Sequence, residues 1–275
     1  MSESGKNRRD RAAAAREEAN SAERRRERTV RIIGAVTVVV VVLGIIGVAV
    51  VARNSSDTSA VAVPTADPNA PLPTGVLPTD DQHAYGVPYG TATPDAPVLE
   101  IWEDFQCPAC GAVEEANGAG IESLADAGKV QLIWRPTAFL DRNLGNDASA
   151  RATAAWGCAI DAGKAKEYHA TVFANQPEVE GTGWTNEELI AFAGDAGIAG
   201  AELDTFTQCV ADATYLGWSA NSTEVFYTSN IPGTPLAKIN GVEIPTEILV
   251  DQASLEQLVD EAAAAGSGDP SPAAS

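Results

Sequence analysis

Histidine and methionine are nearly absent, with two and one in 275 residues, and basic side chains are scarce, with 18 Lys and Arg against 38 Asp and Glu and a formal charge of −20. A nucleic-acid binder meets phosphate with a basic face, so that class is excluded as the default and no nucleic acid is expected as a partner. There are four cysteines but a single Cys-x-x-Cys, and neither His83 nor His169 has ligand spacing with it, so no metal site is expected. The chain also lacks a P-loop, a glycine-rich phosphate loop and hydrolase triad spacing, and shows no internal repeat, so no cofactor is expected. What remains is a composition 45% hydrophobic and 20% charged, which is globular and allows one large domain or two small ones.

The charge is unevenly spread. Residues 1–31 carry 10 basic and 6 acidic groups, a formal +4, whereas residues 54–275 carry 7 and 32, a formal −25. Between them residues 32–52 read IIGAVTVVVVVLGIIGVAVVA, with Thr37 the only clearly polar side chain. At about 1.5 Å per residue such a helix covers roughly 30 Å, a bilayer's hydrocarbon core. Arg24, Arg25, Arg26, Arg28 and Arg31 crowd its N-terminal side and only Arg53 follows closely. The positive-inside bias keeps the tail cytoplasmic and exports the remainder, with the bilayer itself as a partner of residues 32–52. The rival reading is a cleaved signal peptide, for which Ala60, Val61 and Ala62 offer a cleavage pattern. The apolar run exceeds the about 7–15 residues usual in such peptides, which favours an uncleaved signal anchor.

Half of the 16 prolines lie in residues 55–97, so residues 53–82 read as an extended, proline-rich linker. Residues 83–264 read as one domain, and residues 265–275 as a frayed tail. Residues 98–105 and 130–134 read as strands flanking a helix, so a right-handed crossover with parallel pairing is the default. Residues 146–229 read as helices almost throughout. Thr185 with Glu188 makes a capping box there, with Trp184 placed to staple against Leu189. After Pro232 to Pro235 the pattern returns to strand, turns at Asn240 and Gly241, and ends in a helix near residues 253–263. The order predicts an α/β fold with an inserted helical subdomain at about residues 146–229.

An exported location permits disulfides. A bridge closing Cys107 to Cys110 gives roughly 2 kcal/mol in the chain-entropy model, and one closing Cys158 to Cys209 roughly 4 kcal/mol, so only the second makes sense as a staple. Both Cys158 and Cys209 fall on apolar helix faces, and a structural disulfide between them is expected; the rival is two unpaired buried thiols. Cys107 instead stands where a helix begins, with Pro108 at the first helical position, where a missing N–H costs nothing. Unpaired N–H groups and the helix dipole favour its thiolate, and Cys110, one turn on, is placed to trade bonds with it. That is the geometry of a two-electron exchange couple.

Asp104, Phe105, Gln106, Cys107, Pro108, Ala109 and Cys110 after an apolar strand, Gly233, Thr234 and Pro235 before a strand ending Ile239, Asn240 and Gly241, and the helical block between them together resemble the DsbA-like family of thioredoxin-fold thiol:disulfide oxidoreductases. The resemblance covers residues 83–264. It implies a thioredoxin fold, with Cys107 as the exposed nucleophile, Cys110 as its partner, and Pro108 and Ala109 in the active-site loop. It implies that Pro235 is cis beside the cysteines and that Thr234 presents backbone groups to an extended client. Two departures stand out. The Pro-Ala dipeptide lacks the histidine of strongly oxidising members, so a couple nearer about −180 mV than about −120 mV is expected. The buried acid that many relatives carry six residues before the first cysteine falls on Ile101. Glu100, Glu103 or Asp104 are candidate proton relays, with at least two of the three expected to be solvated.

The implied activity is oxidation of exported cysteine-containing proteins by a monomer whose disulfide is renewed by a quinone-linked membrane partner. Two rivals stay open: a reductase or isomerase of the same fold, and a non-enzymatic binding or metal-carrying module, for which the scarcity of methionine and histidine is unfavourable. The five tryptophans are expected in the core or lining a groove, His169 on a helix surface, and the Asn221 glycosylation pattern without significance.

Overall fold

The computed structural model describes residues 65–266. Residues 32–52 lie outside the described residues, and among the described residues no helix is long and apolar enough to cross a membrane.

Five strands form one mixed sheet in the order β1-β3-β2-β4-β5: β1 (Val87–Tyr89), β2 (Val98–Glu103), β3 (Gln131–Pro136), β4 (Leu236–Ile239) and β5 (Val242–Ile244). β2 and β3 are parallel, with Ile101 opposite Trp134. The chain between them runs through α1 (Pro108–Val113), one π-helical turn (Glu114–Gly118) and α2 (Ala119–Asp126). β4 returns antiparallel along the other edge of β2, and β4 and β5 join through Asn240 and Gly241, both at positive φ as a tight hairpin turn demands. The sheet has a member the pattern did not announce: β1 pairs antiparallel with β3 at its outer edge.

β2 is central and covered on both faces, so Leu99, Ile101 and Trp102 are almost fully buried, and Glu100, Glu103 and the following Asp104 are buried with them. The expectation that at least two of these three acids are solvated is therefore overturned; a central strand has no wet face on which to place them. Glu100 is neutralised by Arg135 from β3 at 2.5 Å, and that guanidinium lies 4.2 Å above the Trp102 ring.

The helical block comprises α3 (Phe139–Leu144), α4 (Ala148–Asp161), α5 (Ala165–Ala174), α6 (Asn186–Asp195), α7 (Ala201–Ala211) and α8 (Leu216–Thr228). α4 is rich in alanine, and these small side chains let α5, α7 and α8 pack closely around it. α6 opens on a capping box: Thr185 Oγ1 accepts from the Glu188 N–H at 3.2 Å, and Glu188 accepts from the Thr185 N–H at 2.7 Å. Trp184 and Leu189 are buried in the same core. The chain closes with α9 (Thr246–Leu249) and α10 (Gln252–Gly266), whose Leu255 and Val259 enter the core.

The segment read as an extended spacer does not stand free over residues 65–82. The Asp67 N–H donates to Asn221 Oδ1 at 2.8 Å, and Asn221 Nδ2 donates back to the Asp67 carbonyl at 2.7 Å. The Thr74 N–H donates to Asp161 Oδ1 at 2.8 Å, Val76 is buried, and Leu72 packs against the core. The stretch folds back through turns closed by the N–H groups of Ala70, Val76 and Asp81 on the carbonyls of Asp67, Pro73 and Pro78, while Leu72 and Val76 supply the apolar anchors. Asn221, which matched a glycosylation pattern, spends its amide on this contact.

Candidate functional site

Cys107 is the residue before α1, in extended conformation, and Pro108 occupies the first helical turn. Neither Cys107 nor Cys110 is in a disulfide. Cys107 retains 6% of its surface and Cys110 none, so the exposed nucleophile implied by the resemblance is nearly covered, by the strand end on one side and the loop before β4 on the other. Pro108 and Ala109, between the cysteines, are exposed and form the lip of the site.

The Thr234–Pro235 bond is cis, and Cys107 Sγ lies 3.4 Å from the Thr234 carbonyl oxygen. The loop before β4 and the start of α1 are thereby brought together. From the helical block, Gln176 Nε2 donates to the carbonyls of Phe105 at 2.8 Å and Cys107 at 2.9 Å. A second clamp holds the approach to the cysteines: Gln106 Nε2 reaches Asp141 at 2.7 Å and Ser149 at 2.8 Å, and Asp104 accepts from Ser149 Oγ at 2.5 Å and from the Leu140 N–H at 3.0 Å. The helical block is thus the scaffold against which the cysteine loop is fixed.

The two sulfurs are electrostatically unlike. The Cys110 thiol, with the N–H groups of Cys110 and Ala109, stabilises the Cys107 thiolate against the cost of burial and lowers its pKa to about 6. Burial first, and then the neighbouring Cys107, push Cys110 well above the ordinary thiol range.

Beside them lies a cluster that sequence reasoning did not assemble. His169 of α5 is buried, 1% exposed, which corrects its expected place on a helix surface. Its ring sits among Trp134, Phe173, Trp156 and Phe105, with centroids 4.8, 5.0, 5.1 and 5.5 Å away. Its Nε2 is 2.9 Å from Glu103 Oε2, and its Nδ1 is 3.9 Å from Glu114 Oε2. Burial raises the pKa of Glu103 and of Glu114 to about 8 each, and lowers that of His169. One donor atom from each of the three residues lies within 4.8 Å of the others, so among the described residues this is the set able to hold a metal ion. The signal for His169 was present in the sequence: it stands four residues before Phe173, on the same stripe as Val172. Glu114 likewise stands four after Cys110, on the buried side of the same helical run.

Cys158 and Cys209 form a disulfide that ties α4 to α7, with 5.9 Å between their Cα atoms. The bridge is buried at Cys158 and half-buried at Cys209.

A family model described as thioredoxin matches residues 84–261. Among solved structures, oxidised DsbA of Mycobacterium tuberculosis is similar with 28% identity and a TM-score of 0.51, covering 66% of this chain and 100% of that one. MdbA, a thiol-disulfide oxidoreductase from Actinomyces oris, matches with 24% identity and a TM-score of 0.58 over 72% of this chain and 95% of its own, a likeness of fold. A curated relative, the Na(+)/H(+) antiporter NhaA 3 of Salinispora tropica, is 29% identical over 148 residues, which make up 54% of this chain and only 21% of that protein.

Proposed function

The chain belongs to the thioredoxin family, and from that membership we propose that this thiol–disulfide oxidoreductase of the DsbA kind works as a dithiol oxidase, anchored in the cell membrane and facing outward, for exported proteins. The observation that carries the direction of electron flow is the unequal acidity of the two sulfurs. A Cys107 thiolate stabilised to about pH 6 makes the reduced form comfortable and the disulfide eager for electrons.

In the reaction a client thiolate attacks Cys107 Sγ, the Cys107–Cys110 bond breaks, and Cys110 leaves with the bonding pair and takes up a proton. A second client thiolate attacks the client sulfur of the mixed disulfide, and Cys107 departs as a thiolate. Two electrons pass from client to enzyme, and the client gains one disulfide. Pro108 and Ala109 are the exposed lip over which a client reaches the nearly covered sulfur, and the half-buried Thr234 and Pro235 offer an extended client segment a backbone to lie beside. Residues 32–52, with arginines before them, supply the argument for the anchor, and a quinone-linked membrane protein is the proposed acceptor of the two electrons.

The test is oxidative refolding of a reduced client protein by the full chain, with the reduction potential measured alongside. Cys107→Ser and Cys110→Ser are each expected to abolish client oxidation, since neither variant can hold the disulfide that the client reduces. A potential at or below the thioredoxin value of about −270 mV would reverse the proposed direction.

A further inference from the structure

The backbone around Cys107 is gripped from a place remote in sequence. Gln176, the second residue past α5, has two amide hydrogens, and Nε2 donates one to the Phe105 carbonyl at 2.8 Å and the other to the Cys107 carbonyl at 2.9 Å. Two carbonyl oxygens demand the NH2 end of the amide, so the side chain has one way to face them. Gln176 is itself braced. Its N–H donates to the Phe173 carbonyl at 3.1 Å, and Trp184 Nε1 donates to the carbonyl of the preceding Asn175 at 2.8 Å.

The far end of the same amide lies against Gly111. A Cβ on Gly111 would run into Gln176 Oε1. Gly111 stands within α1 and is not among the glycines at positive φ, so no turn calls for it, and glycine inside a helix is disfavoured relative to alanine. What it supplies is room for Gln176. The Cys107 carbonyl also accepts the N–H groups of Cys110 and Gly111, each at 3.1 Å, and these bonds open α1. The Cys107 sulfur draws on the N–H groups of Ala109 and Cys110, which it meets while Cys107 keeps its extended ψ of 116° before the helix. Fixing the Phe105 and Cys107 carbonyls holds that turn. A donor on each oxygen also offsets part of the negative charge that the two carbonyls present beside a thiolate. Both effects favour the reduced pair, in which Cys107 carries charge, over the uncharged disulfide.

We propose that Gln176 is a positioning residue for thiol–disulfide exchange, fastening the peptide groups before Gln106 and after Cys107 to the helical block and so making the couple a stronger acceptor of electrons. This deepens the thiol–disulfide exchange reading and rests on it. Gln176 acts through the backbone of Cys107 and not on the sulfur itself. Gln106, by contrast, is fixed through its own side chain by Asp141, Asn146 and Ser149. The two clamps hold different atoms, so substitution can separate them.

The experiment equilibrates the full chain with mixtures of reduced and oxidised glutathione and reads the fraction of Cys107–Cys110 dithiol by alkylation and mass. Gln176→Leu keeps the bulk of the side chain and drops both donors. It is expected to lower the equilibrium constant for oxidising glutathione about tenfold, the size of one hydrogen bond, which moves the potential about 30 mV toward the reducing side. The thiolate absorbance of Cys107 is expected to appear at higher pH in the same variant. Gln176→Glu turns oxygens toward the two carbonyls and is expected to shift both readouts further. Gly111→Ala leaves Gln176 in the chain and displaces its amide. It is expected to reproduce the Gln176→Leu shift although alanine suits the helix better, and it decides the question if Gln176→Leu does not fold. Combined, the two substitutions are expected to shift the potential no more than either alone. A side chain that merely supports the fold would lower the Tm of oxidised and reduced protein alike and leave the potential in place. A parental potential in folded Gln176→Leu or Gly111→Ala would therefore overturn the proposal, and so would additive shifts in the double variant. A parent that does not exchange with glutathione at all would overturn the exchange reading itself, so the two failures are distinct.

Discussion

Around Cys107 sit groups whose ionisation pulls stability in opposite directions as pH changes. Folding lowers the Cys107 pKa to about 6, so the reduced native chain holds fewer protons than the unfolded one from there up to the ordinary thiol range. That contribution is complete above the unfolded pKa and is lost as pH falls through 6. Glu103, Glu114 and Asp104 do the reverse: folded values near 8, 8 and 7 exceed the unfolded carboxylate range, so their contribution is complete in acid and is lost as pH rises through them. In the oxidised protein Cys107 does not titrate, and the several raised acids are opposed only by His169, whose pKa burial lowers and which adds stability as pH rises through the imidazole range. Urea unfolding of the oxidised protein is therefore expected to show stability falling from about pH 5 to about pH 9, with a shallower fall in Glu103→Gln. The reduced protein is expected to gain on the oxidised one as pH rises above about 6. A reduced-minus-oxidised difference that is flat with pH would contradict the low Cys107 pKa.

At the scale of single elements, legibility followed chemistry that is local. The start of α1 at Cys107 and Pro108, the Thr185 and Glu188 cap of α6, and the Asn240 and Gly241 turn each depend on a few adjacent residues, and each could be read from them. β1 could not: Val87, Pro88 and Tyr89 are too few to show a period, and Pro88 argues against a strand except at an edge, which is where it lies. His169 and the acids of β2 escaped for a different reason. The burial of His169 is decided by Phe105, Trp134 and Trp156, which reach it from other elements, and that of Glu100 by its pairing with Arg135 of β3, whereas charge alone reads as surface. The bridge between α4 and α7 depends on sequence separation and could be weighed in advance. Replacing both Cys158 and Cys209 by alanine is expected to cost about 4 kcal/mol, seen as a fall of roughly 10 °C in Tm, with client oxidation at low temperature retained.

Over the whole molecule, the alternation of strand and helix was enough to place the βαβ unit, the helical block and the closing hairpin in order. It did not reveal that residues 65–82 belong to the folded body, because proline-rich composition describes stiffness and says nothing of what two apolar side chains do in the right place. A chain beginning at residue 83 is therefore expected to be less stable than one beginning at residue 65, since it loses the burial of Val76, the packing of Leu72 and both hydrogen bonds of Asp67 with Asn221. Paired denaturation curves would check this, and equal midpoints would show the segment to be idle.

The same attachment determines how the domain bears tension. A pull on the chain upstream of Asp67 is received first by α8 through Asn221 and then by α4 through Asp161, and α4 is covalently cross-braced to α7. β2 and β4, from whose ends the Cys107 and Pro235 loops extend, stay slack until those moorings part, so a protein tugged from its N-terminal side keeps its reactive sulfur in register.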